Sequence, residues 1–267
     1  KLRNSLFASK TIVSLVHLGA RAFEAIAGEV VQTVTFTTRN SQSNGYEGNY
    51  IRLIEGESQQ EKENMFLSKT STYVRAAECF EYIPGKPLAY WLGSKAVRNF
   101  EEFGRVGDVA DGRIGLITGD ANRFIRFWHE LCFQTIGINI TSNEASIQSN
   151  KKWFPIQNGG EYRKWYGNLD SVVNWQNDGF EMKHDNFMGT RVRSHNYNGD
   201  YGFKEAITWT TIATEKFSCR YAANGFIFDT AGPFCHVYNP AYLNNLLGFM
   251  QSKVASFYLK VLNPTIN

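Results

Sequence analysis

Residues 11–18 (Thr-Ile-Val-Ser-Leu-Val-His-Leu) are a nearly unbroken apolar run, the pattern of a strand covered on both faces. Residues 30–38 are crowded with β-branched side chains and predict a second strand. Between them, residues 20–27 read as a short helix closed by Gly28. That order looks like the tail of an α/β sheet whose other strands lie elsewhere. Residues 41–50 are polar and glycine-bearing, which predicts a loop, and residues 55–63 are acidic and solvated, a helix start or an exposed linker.

The middle of the chain changes character. Residues 61–104 mix short amphipathic pieces around one turn, Ile83-Pro84-Gly85-Lys86-Pro87. Asp120 is a suitable N-cap for a helix whose apolar positions Phe124, Phe127, Trp128 and Leu131 follow i, i+3, i+4, i+7. From 138 to 232, short strand-like runs alternate with turns such as Asn158-Gly159-Gly160 and Asn198-Gly199-Asp200. A closing helix over about 240–262 would bury Leu243, Leu246, Leu247, Met250, Val254, Phe257 and Val261. The fold class expected is α+β: a short α/β remnant, then a mixed β-rich domain and a C-terminal helix.

Composition narrows the function. The 267 residues hold 28 Lys+Arg against 25 Asp+Glu, a net charge of +3, so affinity through bulk charge is excluded while a local basic patch is not. No apolar run approaches the roughly 18 residues of a membrane span, and residues 1–3 lead into no signal peptide. Cys79, Cys132, Cys219 and Cys235 are far apart and form no CxxC, so we expect no zinc site and mostly buried, reduced thiols in a cytoplasmic protein. The chain lacks an initiator Met and reads as a piece of a longer protein. Twenty Phe, 13 Tyr and 6 Trp exceed what a core of this size needs and can supply flat surfaces for bases, sugars or peptides.

Several motifs could carry chemistry. Asn239-Pro240-Ala241-Tyr242 is one residue from the Asn-Pro-Pro-Tyr of amino-methyltransferases, but Asn followed by Pro is better read as a helix start. Asp170, Glu181 and Lys183 outline a metal-dependent nuclease, a short pattern common by chance. The five histidines have no Ser or Cys partner at a recognisable spacing, and His17 reads as a packed residue. Residues 115–124 form a Gly-bearing loop entering a helix, with Thr118 and Arg123 placed to meet a phosphate; Asp120 would repel one and is better read as the helix cap, which favours an ordinary loop. Residues 151–175 interleave Lys151, Lys152, Arg163 and Lys164 with Trp153 and Trp165 around Gly159-Gly160, cations for phosphates and rings for bases. Arg191 and Arg193, if extended, share one strand face. A β-rich core with basic side chains at its rim would give the same pattern.

Ile83-Pro84-Gly85-Lys86-Pro87 with Tyr90-Trp91, Thr118-Gly119-Asp120-Ala121-Asn122-Arg123-Phe124, Lys152-Trp153-Phe154-Pro155, the block from Gly159 to Asn168 and Asn263-Pro264-Thr265-Ile266-Asn267 together resemble PglX-type adenine-specific DNA methyltransferases of BREX phage-defence systems. The resemblance implies that residues 1–45 end a methyltransferase domain, 46–105 connect, and 106–267 recognise the DNA target. It implies double-stranded DNA as partner, with other defence-system proteins, and SAM as the cofactor of the parent enzyme but not of this chain. The SAM motif and Asn-Pro-Pro-Tyr do not occur in these residues, so no catalytic or metal-binding residue is expected. The candidate DNA-binding residues are Thr118, Asn122, Arg123, Lys151, Lys152, Trp153, Arg163, Lys164, Trp165, Arg191 and Arg193. A metal-dependent nuclease, or an aromatic-lined module for another ligand, is the competing expectation.

Overall fold

The structure, a computed structural model, describes residues 2–23, 31–187, 189, 191–212 and 216–263. It is an α+β fold in two compact units, Lys1–Gly104 and Arg105–Asn267.

The first unit runs α1 (Leu2–Ser9), β1 (Thr11–Gly19), β2 (Thr33–Arg39), β3 (Glu47–Arg52), α2 (Gln59–Ser68), β4 (Thr72–Ala76) and α3 (Ser94–Glu102). Its sheet has the order β2-β1-β3-β4, with β1 antiparallel to β2 and parallel to β3. The predicted strand at 11–18 is therefore central, with Ile12 and Leu15 packed against Tyr50, Phe80 and Tyr90. β2 lies at the edge, and Val34 and Phe36 on it are each 47% exposed, an open apolar strand of the kind that invites further pairing. Of the helix expected at 20–27, residues 20–23 are not helical and the remainder falls outside the described residues, as do Val30 and residues 264–267.

Two expectations for this unit need correction. The loop expected at 41–50 ends in strand β3, where Tyr50 is buried opposite Leu15 and Gly48 passes so close to the Ile12 carbonyl that a Cβ would lie 2.6 Å from its oxygen. Long-range pairing overrides local polarity there. The acidic stretch at 55–63 is a real helix start, capped by Ser58 accepting from Glu61 N, yet Lys62 within it is buried. Its ammonium donates to the Leu18 and Leu53 carbonyls at 2.8 and 2.9 Å, which is how the charge survives inside.

The second unit contains β5 (Ala110–Arg113), α4 (Ala121–Phe124), β6 (Ile125–Phe127), α5 (Asn143–Gln148), β7 (Trp153–Gln157), β8 (Ser171–Asn174), α6 (Gln176–Lys183), β9 (Asn186–Phe187), β10 (Arg191–Val192), β11 (Ala206–Trp209), β12 (Cys219–Ala222), β13 (Ile227–Phe228), β14 (Phe234–Val237), α7 (Leu243–Met250) and α8 (Lys253–Leu262). Two four-stranded sheets, β13-β7-β8-β6 and β12-β11-β14-β5, carry it, beside the β9-β10 pair. Phe124, Phe154, Ile156, Val173, Trp175 and Phe203 fill one core; Ile207, Cys219, Cys235 and Val237 meet Leu243, Leu246 and Leu247 of α7 in another.

Asp120 caps as expected, its carboxylate accepting from Arg123 N at 3.1 Å, but the helix lasts one turn. Ile125 then pairs with Val173, so Phe127 and Trp128 stand exposed instead of lining a helical face. The closing helix is also broken. Asn239 accepts from Ala241 N, confirming a helix start, and Ser252 restarts the helix by accepting from Ala255 N. That restart changes the phase: Ala255 and Val261 are buried, and Val254 and Phe257 face outward.

Candidate nucleic-acid interface

The Gly115–Gly119 loop owes its glycines to its own chain. A Cβ on Gly115 would sit 1.9 Å from the Phe228 carbonyl oxygen, and one on Gly119, at φ +75°, 2.6 Å from Arg193 Cβ. Thr118 is a mostly buried residue, 6% exposed. The phosphate reading of this loop therefore loses its main support. Asn122 is exposed, but its backbone carbonyl accepts from Arg126.

Arg123 reaches across to α6 and the segment after it. Its guanidinium donates to Glu181 Oε1 at 2.7 Å and Asp185 Oδ1 at 2.8 Å. Arg193 joins the same group through Asp185 Oδ2 at 3.1 Å and Asp120 Oδ2 at 3.4 Å. The Arg123 hydrogen bond holds the Glu181 carboxyl below its usual range, helped by Asn174, and the Arg193 hydrogen bond does the same for Asp185. These two arginines, expected at DNA, are thus engaged with carboxylates. The network also dismantles the nuclease outline: Glu181 binds Arg123 and Asn174, and Lys183 is paired with Asp178 at 2.7 Å. Among the described residues no group of three or more His, Cys, Asp or Glu could hold a metal.

The 151–175 block is divided by β7. At the start of that strand, Lys151 donates to the Gln134 carbonyl at 2.6 Å, and Lys152 lies 5.6 Å from the Trp153 ring. Trp153 itself is 8% exposed and packs on Ile136 and Val172, so it offers no face for stacking. Exposed Phe127, Trp128 and Phe133 stand in the neighbouring segment instead. At the other end of β7, about 15 Å along the strand, residues 158–168 form a loop. Asn168 Nδ2 clasps it by donating to the Gly159 and Glu161 carbonyls, both at 2.9 Å. Trp165 N donates to the Cys219 carbonyl and Tyr221 N to the Trp165 carbonyl, stapling the loop to β12. Arg163, Lys164, Trp165 and Tyr166 are all exposed, Trp165 at 52%. Arg191 is exposed on β10, one residue before the end of that short strand.

Sequence reasoning missed Tyr166 as an exposed ring, and it missed Asn168, Thr210 and Arg220 as the groups beneath the loop. Only the strand pairing at β12 brings the last two there, so no local signal marked them.

The polar cleft beside Trp175 does not fit SAM. An adenosyl group needs an apolar slot and a glycine turn open to the ligand. The cleft of about 670 Å³ in this unit is walled by Asn143, Glu144, Asp178, Asn196 and Asp200, and its one aromatic face, Trp175, has Lys183 over it at 4.7 Å. No helix is long and apolar enough, among the described residues, to cross a membrane.

No protein-family model matches the chain. It is 39% identical over 264 residues, 96% of its length, to the adenine-specific methyltransferase PglX of Lacticaseibacillus casei (strain Zhang), covering 22% of that protein. It is 35% identical over 270 residues, its whole length, to the adenine-specific methyltransferase BrxX of Escherichia coli O9:H4 (strain HS), covering 21% of it. The chain, which spans about a fifth of the length of these curated relatives, is homologous to the PglX and BrxX adenine-specific methyltransferases.

Proposed function

We propose that the second unit of this chain grips and reads duplex DNA for an adenine-N6 methyltransferase. The observation that carries this reading is the clasped 158–168 loop, which holds Arg163, Lys164, Trp165 and Tyr166 outward on a rigid base. Cations beside exposed rings suit phosphates and bases together. Lys152, at the opposite end of β7, and Arg191, on β10, are further cations that a duplex could meet. Neither they nor Arg163 and Lys164 form an ion pair within 4 Å of a carboxylate among the described residues, although Lys152 is near enough to help lower Glu181. Lysines would fix the register of the duplex through phosphates, and Arg191 is the side chain suited to a guanine edge.

The parent enzyme would extrude the adenine and transfer a methyl group from SAM with residues outside this chain. This chain would supply grip and sequence choice. The test is made in the longer parent. Lys164→Ala and Trp165→Ala should lower duplex methylation while SAM affinity stays at the wild-type value. Unchanged methylation, or lost SAM binding, would overturn the reading.

A further inference from the structure

Arg220 is fully buried in β12, 0% exposed, yet no carboxylate among the described residues pairs with it. Its guanidinium meets only neutral acceptors, Thr210 Oγ1 and the Gly159 carbonyl, each at 3.5 Å, the outer limit of a hydrogen bond. Its Nε has no partner, and neither does either amide atom of Gln157, two residues before Gly159. Burial pulls the guanidinium down from its ordinary value. A buried charge without a counter-charge is costly, and the chain itself does not supply one.

The loop above this charge has a fixed polarity. No peptide bond is cis, so each carbonyl points opposite to the N–H of the next residue. The Gly159 carbonyl is held inward by Asn168 and Arg220, and the Gly160 carbonyl by Thr210 Oγ1 at 3.1 Å. The Gly160 N–H then points away from Arg220, and the Glu161 N–H away from Thr210, at a turn where Gly160 and Glu161 are exposed. Neither finds an acceptor among the described residues. Gly159 and Gly160 stand at φ +84° and +101°, and a Cβ would lie 2.6 Å from the Ala231 carbonyl oxygen at the first and 2.9 Å from Asn168 Nδ2 at the second.

We propose that the Gly160 and Glu161 amides form an oxyanion cradle for a phosphate, backed by the buried guanidinium of Arg220. Successive outward N–H groups in a left-handed turn make an anion concavity. The charge behind the Gly159 carbonyl polarises the peptide whose N–H faces the ligand. Arg163 and Lys164 lie at its rim; the exposed Glu161 carboxylate opposes an anion, which must therefore seat on the backbone. The proposal rests on the DNA reading only for the source of the phosphate, a nucleic-acid backbone.

The test follows backbone amide resonances of the chain as inorganic phosphate is added at constant ionic strength, against chloride. Phosphate should shift Gly160 and Glu161 selectively. Arg220→Met should weaken the response about tenfold, the loss of one charge-assisted contact. Thr210→Val, which frees the Gly160 carbonyl and leaves the buried charge in place, should weaken it as well and serves if Arg220→Met fails to fold. Shifts spread over the basic surface, or unchanged in the variants that fold, would overturn the proposal. A duplex titration separates the two claims. Phosphate binding that a duplex does not displace leaves the cradle standing and removes the DNA reading. Duplex binding that leaves both amides unmoved does the reverse.

Discussion

Arg123 and Glu181, 58 residues apart in sequence, are joined by a 2.7 Å ion pair from Nη2 to Oε1. With Asp185, Arg193 and Asp120 this pair ties the loop before α4 to the segments around α6. A cation already bound to two carboxylates must break those bonds to meet a phosphate. On the proposed DNA reading, Arg123 and Arg193 would therefore support the interface, and Lys152, Arg163, Lys164 and Arg191 would be its contact residues.

Arg123→Ala should lower the urea midpoint of the second unit and change duplex affinity less than about twofold. Because Arg123 and Glu181 act as one pair, Arg123→Ala combined with Glu181→Gln should destabilise less than the two single changes added. A urea double-mutant cycle checks both statements; strict additivity would show that the pair does not interact.

Acid should release this network. Asp185 and Glu181 have carboxyls held below their usual range by Arg193 and Arg123, so the unfolded chain binds their protons first as pH falls. Their stabilisation is complete above about pH 4.5, the unfolded range, and is lost as pH drops through the lowered folded values. Urea midpoints at pH 7, 4.5 and 3 should fall mainly in the last step, and Asp185→Asn should blunt that fall.

Trp153 and Trp165 of the 151–175 block should separate stability from binding. Trp153→Ala empties a buried site and should cost about 3–5 kcal/mol of stability. Trp165 is exposed and stands at φ +69°, a left-handed conformation unfavourable for a ring-bearing residue. Trp165→Gly should leave stability unchanged or raised, while duplex affinity falls by about 1–3 kcal/mol if a base stacks on the ring. Thermal unfolding and duplex titration of both variants check this.

Much of the scaffold was legible in the sequence. Strand β1, the Asp120 cap, the start of α2 and the helix start at Asn239 follow from apolar runs and capping chemistry. Where reading failed, a distant partner decided. Polar residues 47–50 became a strand because β1 lies beside them, and the pattern after Phe124 became β6 because Val173 offered a pairing partner. The site was half legible: the basic and aromatic composition of 151–175 was visible, but not that Trp153 turns inward or that Arg220 lies beneath the glycine turn.

The thiols correct one expectation and give another test. Cys219 and Cys235 are buried, with thiols pushed up to about 12 by burial, whereas Cys132 is exposed. A maleimide should label Cys132 in the native chain and reach Cys219 and Cys235 only on unfolding. Rapid native labelling of the last two would show that the core under α7 is open.

The central claim is that the 158–168 loop contacts duplex DNA through its cations. The direct measurement is duplex affinity against salt concentration for the wild-type chain, Arg163→Ala and Lys164→Ala. The wild type should lose affinity steeply with salt, and each substitution should weaken binding to every duplex alike and flatten the log–log slope by about one unit. Variants that bind with the wild-type affinity and slope would contradict the account and leave the loop a solvated rim.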